Sequence, residues 1–370
     1  MLTNIVKFFT WFPYVVFALT MLTFVGRLRL GVRGKAVWAM VLLGCCSKFL
    51  CFRELGGHAF CPDFPAPLIW FWNWAYSGAV ILCALSIPLF FRFRLRGVVL
   101  PAVAWGLALR GLVNGLVAPD VREVELVYEN LPAALDGYRI AQASDLHVSS
   151  AALAWRTRKV VDVVNALEPD LVCLTGDYQD GRAERLHEAL APLAGLKARD
   201  GVWAVTGNHD HFAQHAGWWT WYGRYGLRFL ENECVFPRPE LALGGVNDFR
   251  ATARRSIPPG AAAPDVKAAF AAATNGEFRI LLQHQPRQAH ANVEGHGVHL
   301  QLSGHTHGGI MPGFAEIVRR HNGGFVRGLY EFPHGKLYVN AGCGQWPGFP
   351  IRFCNPSEVT LITLRRKPKR

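Results

Sequence analysis

The sequence predicts an α/β domain preceded by an N-terminal bundle of about four transmembrane helices. Long apolar runs fill the first 119 residues of the 370-residue chain, and this part contains 2 acidic residues against 11 Lys and Arg. After residue 120, short apolar segments alternate with amphipathic stretches. That alternation is typical of strands and helices that build a sheet covered by helices.

Four apolar runs are candidate membrane spans. They cover residues 4–26, 36–52, 68–91 and 98–118. The first and third exceed the length of about 20 residues that crosses a bilayer, whereas the second is marginal, so three spans are the alternative. The first run is too long for a cleaved signal peptide and lacks a basic start.

The loops between these runs predict an orientation. Loops 27–35 and 92–96 are rich in Arg, whereas the loop between the second and third runs balances Arg53 against Glu54 and Asp63. Basic loops face the cytoplasm. We therefore expect a multi-pass protein of the inner membrane, with both termini and the C-terminal domain on the periplasmic or outer face.

The charge distribution sets the domain limits and argues against one class of partner. Much of the formal net charge of +12 lies between the apolar runs and in the last six residues. This pattern favours membrane topology over nucleic-acid binding, so no nucleic-acid partner is expected. The predicted limits are a transmembrane domain over 1–119, an α/β domain over 120–364 and a basic tail over 365–370.

Five apolar segments of the second domain predict buried strands: YRIAQAS, PDLVCLTG, GVWAVTG, FRILLQH and VHLQLSG. Continuous rather than alternating apolarity means that both faces of each strand are covered. The later segments GKLYVNAG and SEVTLITL follow each other without a helix. They predict a mixed sheet, or a second sheet packed on the first.

Polar side chains follow these five strands. They are Asp145 and His147, Asp177 and Asp180, Asn208 with His209 and Asp210, His284, and His305 with His307. Because ligands bind at the carboxyl ends of strands in open α/β sheets, we expect these groups to converge. Imidazole and carboxylate suit divalent metals, and the set exceeds the needs of one tetrahedral ion, so two metals are predicted. Each fragment alone is common in turns and caps, but five at successive strand ends are not.

The motif order D-x-H, G-D-x-x-D, G-N-H-D, H, G-H-x-H resembles the calcineurin-like metallophosphoesterase superfamily. The segments YRIAQASDLHVS, LLQHQP and LQLSGHTHGG are similar to its bacterial membrane-associated branch, typified by the YaeI and YkuE phosphodiesterases. The resemblance covers about 124–364 and leaves out the apolar runs.

This resemblance implies a fold and residue roles. The fold is a four-layer αββα sandwich of two sheets flanked by helices. The implied ligands are Asp145, His147 and His307 for a first metal, Asn208, His284 and His305 for a second, and Asp177 as the bridge. The implied catalytic residue is His209, oriented by Asp210, while Asp180 supports the site. Two divalent ions are expected, Mn²⁺ before Fe, Zn or Mg.

The implied activity is hydrolysis of a phosphate ester, in particular a phosphodiester, by attack of a metal-bridging hydroxide. Aromatic residues over 218–225 indicate either a helix with a bulky core or a belt at the membrane interface. Together with the apolar runs, they favour a phospholipid or other lipid-linked substrate. Two alternatives are a lipid A enzyme similar to UDP-2,3-diacylglucosamine pyrophosphatase and a non-catalytic membrane sensor of a phospholigand.

Overall fold

The computed structural model describes most of the chain and divides it into two compact units. The described residues are 2–89, 98–212, 217–253, 261–274, 276–311 and 313–368. One unit comprises Met1–Leu116 with the short segments Ser149–Ala151 and Trp346–Phe353. The other comprises Val117–Val148, Ala152–Gln345 and Cys354–Arg370. The Arg-rich loop 92–96, on which part of the predicted orientation depends, lies outside the described residues.

The first unit is helical. Its helices are α1 Leu2–Thr23, α2 Val32–Cys46, α3 Lys48–Gly56, α4 Ala66–Leu89 and α5 Val99–Leu116. Within the described residues, Phe8–Arg27, Ala66–Pro88 and Val99–Leu116 are long and apolar enough to cross a membrane. The prediction of apolar spans at the N-terminus is confirmed to this extent.

The second predicted span, over 36–52, is not one helix. Helices α2 and α3 meet at an angle of 54°, and only if this bent pair is one span does the count reach four. The break falls at Ser47, whose hydroxyl donates to the carbonyl of Gly44 at 2.8 Å. A serine hydroxyl that bonds to a carbonyl of the preceding turn competes with the backbone hydrogen bonds of the helix, and helices often kink at such positions.

Hydrogen bonds hold the two short segments of the first unit to its helices. The Lys48 ammonium is buried and donates to the carbonyl of Pro347 at 2.8 Å. The indole N–H of Trp70 donates to the carbonyl of Ala151 at 3.0 Å. Both contacts satisfy a carbonyl that lies outside regular secondary structure.

The second unit contains two six-stranded sheets. The first has the order β1-β12-β2-β3-β4-β5, and the second the order β10-β11-β9-β8-β7-β6. The strands of the first are β1 Asp120–Tyr128, β2 Arg139–Ala143, β3 Leu171–Leu174, β4 Val202–Ala204, β5 Arg228–Phe229 and β12 Glu358–Arg366. Those of the second are β6 Glu233–Arg238, β7 Leu241–Gly245, β8 Phe278–Leu282, β9 Leu300–Ser303, β10 Gly328–Glu331 and β11 Lys336–Val339.

Both sheets are mixed. Strand β12 pairs parallel to β1 and antiparallel to β2, while β6 and β10 add antiparallel edges to the second sheet. The late segments predicted either a mixed sheet or a second sheet, and both features are present. Strand β11 belongs to the second sheet and β12 to the first, and each sheet is mixed. Strand β12 continues to Arg366, so the first two residues of the predicted tail belong to the sheet. The last two residues, 369–370, lie outside the described part.

Helices flank these sheets. They are α6 Ala154–Ala166, α7 Ala183–Leu190, α8 Trp218–Arg224, α9 Val266–Ala269, α10 Ala289–His296 and α11 Ala315–His321. Strand β8 explains the layering, because Ile280 lies in the core between the sheets while Leu281 packs against Val266 and Val293 of α9 and α10. Neighbouring residues of a strand point to opposite faces, so an apolar strand needs cover on both. The sandwich of two sheets with helices is thus confirmed.

Candidate metal centre

Seven of the polar residues predicted at the strand ends lie together in the second unit. Three groups each offer ligand atoms within 4.8 Å of one another. They are Asp145, His147 and His307; His147, Asp177 and His209; and Asp177, His284 and His305. The loops after β2, β3, β4, β8 and β9 therefore meet at one place, as expected for the carboxyl ends of neighbouring strands.

The first cluster is built from Asp145, His147 and His307. Nε2 of His147 lies 3.0 Å from Nε2 of His307. Oδ1 of Asp145 lies 3.4 Å from Nε2 of His307 and 3.8 Å from Nε2 of His147. Three atoms that carry lone pairs thus face one point, which is the arrangement of a divalent metal site.

The second cluster is built from Asp177, His284 and His305. Nδ1 of His284 lies 2.7 Å from the carbonyl oxygen of Thr175. A carbonyl can only accept, so Nδ1 carries the hydrogen, and in the neutral ring Nε2 keeps its lone pair. That nitrogen lies 3.2 Å from Oδ2 of Asp177 and 3.2 Å from Nδ1 of His305.

Asp177 lies between the clusters. Its Oδ2 atom is 3.2 Å from Nε2 of His284 and 3.7 Å from Nε2 of His147. The carboxylates make this region strongly negative. Burial lowers the pKa of His284, but the charge of Asp177 and then Asp145 outweighs it and raises that pKa to about 10. A site with this potential attracts cations.

Asn208 provides a separate test of whether cations fit here. Its side-chain oxygen is buried and accepts no hydrogen bond from the residues that the structure describes. A buried polar atom without a partner is unfavourable by about 1–3 kcal/mol. A divalent cation accepts oxygen ligands of this kind, so the donor set present fits a metal.

Backbone strain concentrates at the site. Five of the polar residues have φ in the left-handed region, namely Asp145 (53°), His147 (48°), Asp177 (57°), His305 (73°) and His307 (48°). Side chains disfavour that region, and strained residues of this kind gather at functional sites. The turn SGHTHGG contains two of the five.

Close packing enforces these conformations. A Cβ at Gly304 would lie 1.9 Å from the hydroxyl oxygen of Ser144. That hydroxyl donates to Oδ2 of Asp145 at 2.6 Å, and the backbone N–H of His305 donates to the same carboxylate at 3.0 Å. The glycine is therefore required for close approach of the β2 and β9 loops.

His209 lies beside the first cluster and has a partner that the sequence did not predict. Oδ1 of Asp180 lies 2.5 Å from Nδ1 of His209, while Oδ2 lies 2.9 Å from Nδ1 of His147. Burial lowers the pKa of His209, but Asp177 and then Asp180 outweigh it and raise that pKa to about 9. The imidazolium form is thus favoured near neutral pH.

Asp210 was predicted to orient His209. Its carboxylate accepts from the backbone N–H groups of Asp177, Gly207 and Tyr178 and from the hydroxyl of Tyr222, at 2.8–3.1 Å. These bonds join the loops after β3 and β4. These four bonds are the described contacts of the Asp210 carboxylate, and its role in orienting His209 stays a prediction.

The aromatic stretch of helix α8 is divided between core and surface. Trp218 and Tyr222 are buried, and the indole N–H of Trp218 donates to the carbonyl of Gly181 at 2.7 Å. Trp221 stacks on His187 at 3.6 Å between ring centroids. Burial of the two large rings supports the interpretation of this stretch as a helix with a bulky core.

Sequence comparisons agree with this architecture. Residues 138–309 match the family model of the calcineurin-like phosphoesterases. The chain is 36% identical over 270 residues to a zebrafish (Danio rerio) "transmembrane protein with metallophosphoesterase domain", covering 70% of this chain and 60% of that protein. It thus spans less than two thirds of that relative.

Two bacterial proteins are similar over a larger share of their length. An uncharacterized metallophosphoesterase of Helicobacter pylori is 33% identical over 264 residues, which cover 70% of this chain and 67% of that protein. The uncharacterized metallophosphoesterase YkuE of Bacillus subtilis is 30% identical over 249 residues, covering 64% of this chain and 82% of that protein. This chain belongs to the calcineurin-like metallophosphoesterase family.

Proposed function

We propose that the chain is a membrane-bound phosphoesterase that uses two divalent metal ions to hydrolyse a phosphate ester, in particular a phosphodiester. The observation that carries this proposal is the position of Asp177, whose Oδ2 atom lies between Nε2 of His147 and Nε2 of His284. One carboxylate shared by two ligand clusters is the arrangement of two-metal hydrolytic sites.

Seven residues would hold the ions. Asp145, His147 and His307 would hold the first, Asn208, His284 and His305 would hold the second, and Asp177 would be shared. Bound divalent ions supply a water nucleophile of lowered pKa and offset the charge that gathers on the phosphoryl oxygens. Manganese is the metal we favour, because the carboxylate and amide oxygens among these ligands suit it.

His209 acts on the leaving group in this proposal. Asp180 holds Nδ1 and stabilises the imidazolium, so Nε2–H can donate a proton to the departing alkoxide oxygen. The side chain of His209 is 14% exposed, whereas that of His147 is 1% exposed. Of these two histidines, His209 is the one that a substrate reaches.

The apolar helices of the first unit suggest where the substrate is found. We propose that they anchor the chain in the inner membrane, with the α/β unit on the periplasmic or outer face. A phospholipid or another lipid-linked phosphate ester is then the favoured substrate class. The zebrafish relative carries the word transmembrane in its name, which supports the anchoring.

The test is turnover of bis(p-nitrophenyl) phosphate by the purified chain loaded with Mn²⁺. We expect the chromogenic product from the wild type and an unchanged metal content in His209→Ala. Turnover of that variant should fall more with an alkyl phosphodiester, whose alkoxide needs a proton, than with this aryl ester, whose p-nitrophenolate leaves readily. Metal loss in His209→Ala would make His209 a ligand. A metal-loaded wild type that releases no product would favour a phospholigand sensor over an enzyme.

A further inference from the structure

Two arginines in the second unit, Arg250 and Arg287, form no ion pair with the described residues. Burial lowers the pKa of both, and the nearby Asp248 carboxylate opposes that effect. Arg250 follows β7 in the turn after Asp248, and Arg287 lies in the 3₁₀ turn Pro286–Gln288 directly after β8. Nε of Arg250 is buried and has no hydrogen-bond partner among the described residues. Neither guanidinium forms a salt bridge with a carboxylate in that part of the chain; Arg250 is half-buried, whereas Arg287 is exposed.

Arg250 lies one aromatic ring away from His209. Its guanidinium carbon is 5.5 Å from the ring centroid of Phe212. The Phe212 ring is in turn 4.8 Å from the imidazole of His209. The guanidinium of Arg250 and the imidazole of His209, which donates to the leaving group, therefore contact the same aromatic ring.

Arg287 contacts the loop that contains Arg250. Its guanidinium carbon lies 3.4 Å from the ring centroid of Phe249, the residue before Arg250. The side-chain amide of Gln285 donates to both oxygens of Asp248, at 2.8 and 3.1 Å, and the N–H of Arg250 donates to Oδ1 at 2.7 Å. Asp248 thus joins the two arginine-bearing turns through partners other than the guanidinium groups.

A half-buried guanidinium without hydrogen bonds, such as that of Arg250, favours an external anion, and the exposed guanidinium of Arg287 can bind one as well. The planar fork of arginine matches a phosphoryl group, which can accept two parallel hydrogen bonds from it. We propose that Arg250 and Arg287 form a subsite for a second phosphoryl group of the substrate. The inference rests on the proposed function and names the substrate class as an ester of a diphosphate, in which the bond that breaks is the P–O–P linkage.

The leaving group is then itself a phosphate. Water adds to the attacked phosphorus, the P–O bond to the bridging oxygen breaks, and that oxygen takes a proton from His209. The two guanidinium groups neutralise the charge of the departing phosphate. No oxidant or further reactant is needed for this balance.

The test compares the binding of ADP and AMP to the full-length, Mn²⁺-loaded chain by calorimetry. These probes differ by one phosphoryl group, so their affinity ratio isolates the subsite. We expect the wild type to bind ADP about 10-fold more tightly than AMP, since one charge-assisted hydrogen bond is enough for a factor of that order. Joint replacement by Arg250→Gln and Arg287→Gln should bring the ratio close to one, and Arg287→Lys should retain part of it.

Arg228 on β5 provides a matched control. It also lies over an aromatic ring, 5.5 Å from the centroid of Trp203, and forms no ion pair among the described residues. Arg228→Gln should leave the ratio unchanged. Metal content and Tm of each variant show whether the fold is kept.

Equal affinities for ADP and AMP in the wild type, or a ratio that survives the double substitution, would overturn the subsite. Turnover of bis(p-nitrophenyl) phosphate by the wild type is measured separately. A normal ratio without turnover overturns the enzymatic proposal and supports the subsite. Turnover with equal affinities for ADP and AMP supports the enzymatic proposal and overturns the subsite.

Discussion

Replacing Asp180 with Asn should damage the site through two histidines at once. The carboxylate contacts Nδ1 of His209 at 2.5 Å and Nδ1 of His147 at 2.9 Å. A charge-assisted hydrogen bond contributes about 1.5–3 kcal/mol. The same bond fixes the orientation of the His209 ring for proton donation, and losing about 2 kcal/mol of this positioning lowers kcat about 30-fold. Loss of the partner of a metal-bound histidine weakens metal affinity about 10–100-fold.

Two assays separate these effects. Metal content after dialysis, measured by mass spectrometry, reports on His147, and kcat at saturating Mn²⁺ reports on His209. Asp210→Asn is the matched control, because Asp210 accepts four hydrogen bonds that an amide cannot all accept. It should lower Tm more than Asp180→Asn does. The assignment of Asp180 would be refuted if Asp180→Asn left metal content and kcat unchanged while Asp210→Asn lowered kcat at unchanged Tm.

Three further predictions concern the shared ligand, the packing of the site and the orientation. Asp177→Asn should lose both metal ions, whereas Asp162→Asn on the exposed face of α6 should keep them, and metal analysis decides. Gly304→Ala should reduce stability by about 1–3 kcal/mol, because its Cβ would lie 1.9 Å from a hydroxyl oxygen; Gly295→Ala, with nothing within 4 Å of its Cβ, should not, and denaturant unfolding compares them. Cys354 is free and exposed, so a membrane-impermeant maleimide should label intact spheroplasts of the wild type and label the Cys354→Ser variant less; labelling at this residue only after permeabilisation would contradict the predicted outer face.

Much of the site could be predicted because strand ends are marked in the sequence. An apolar segment that ends at Asp, Asn or His places that side chain at the edge of a sheet. Five such segments predict that their polar side chains meet in one site. The partner of His209 could not be predicted in this way. Asp180 belongs to another loop, and only the fold brings it to Nδ1 of His209. Asp210 is adjacent in sequence, but its carboxylate bonds to backbone N–H groups of its own turn and of the loop after β3.

Two other features escaped the sequence for physical reasons. The break at Ser47 was missed because hydropathy averages over a window and does not register the direction of a helix. The subsite of Arg250 and Arg287 was missed because a lone arginine in a loop is usually solvated. The role of these arginines depends on the aromatic rings that they contact and on the absence of a salt bridge among the described residues. Neither feature can be deduced from spacing in the sequence.

Strain and charge together explain why cations suit this centre. Holding non-glycine residues at positive φ costs of order 1–3 kcal/mol each. The buried carboxylates of Asp145 and Asp177 repel each other unless positive charge opposes them. Protonated imidazoles can provide that charge, as the raised pKa of His284 indicates. Divalent ions oppose the same carboxylates and leave the imidazoles neutral, with their lone pairs directed at the metal. Packing of the two sheets thus stabilises a strained, negative arrangement that cations complete, and for that reason metal-dependent chemistry is the function that this geometry favours.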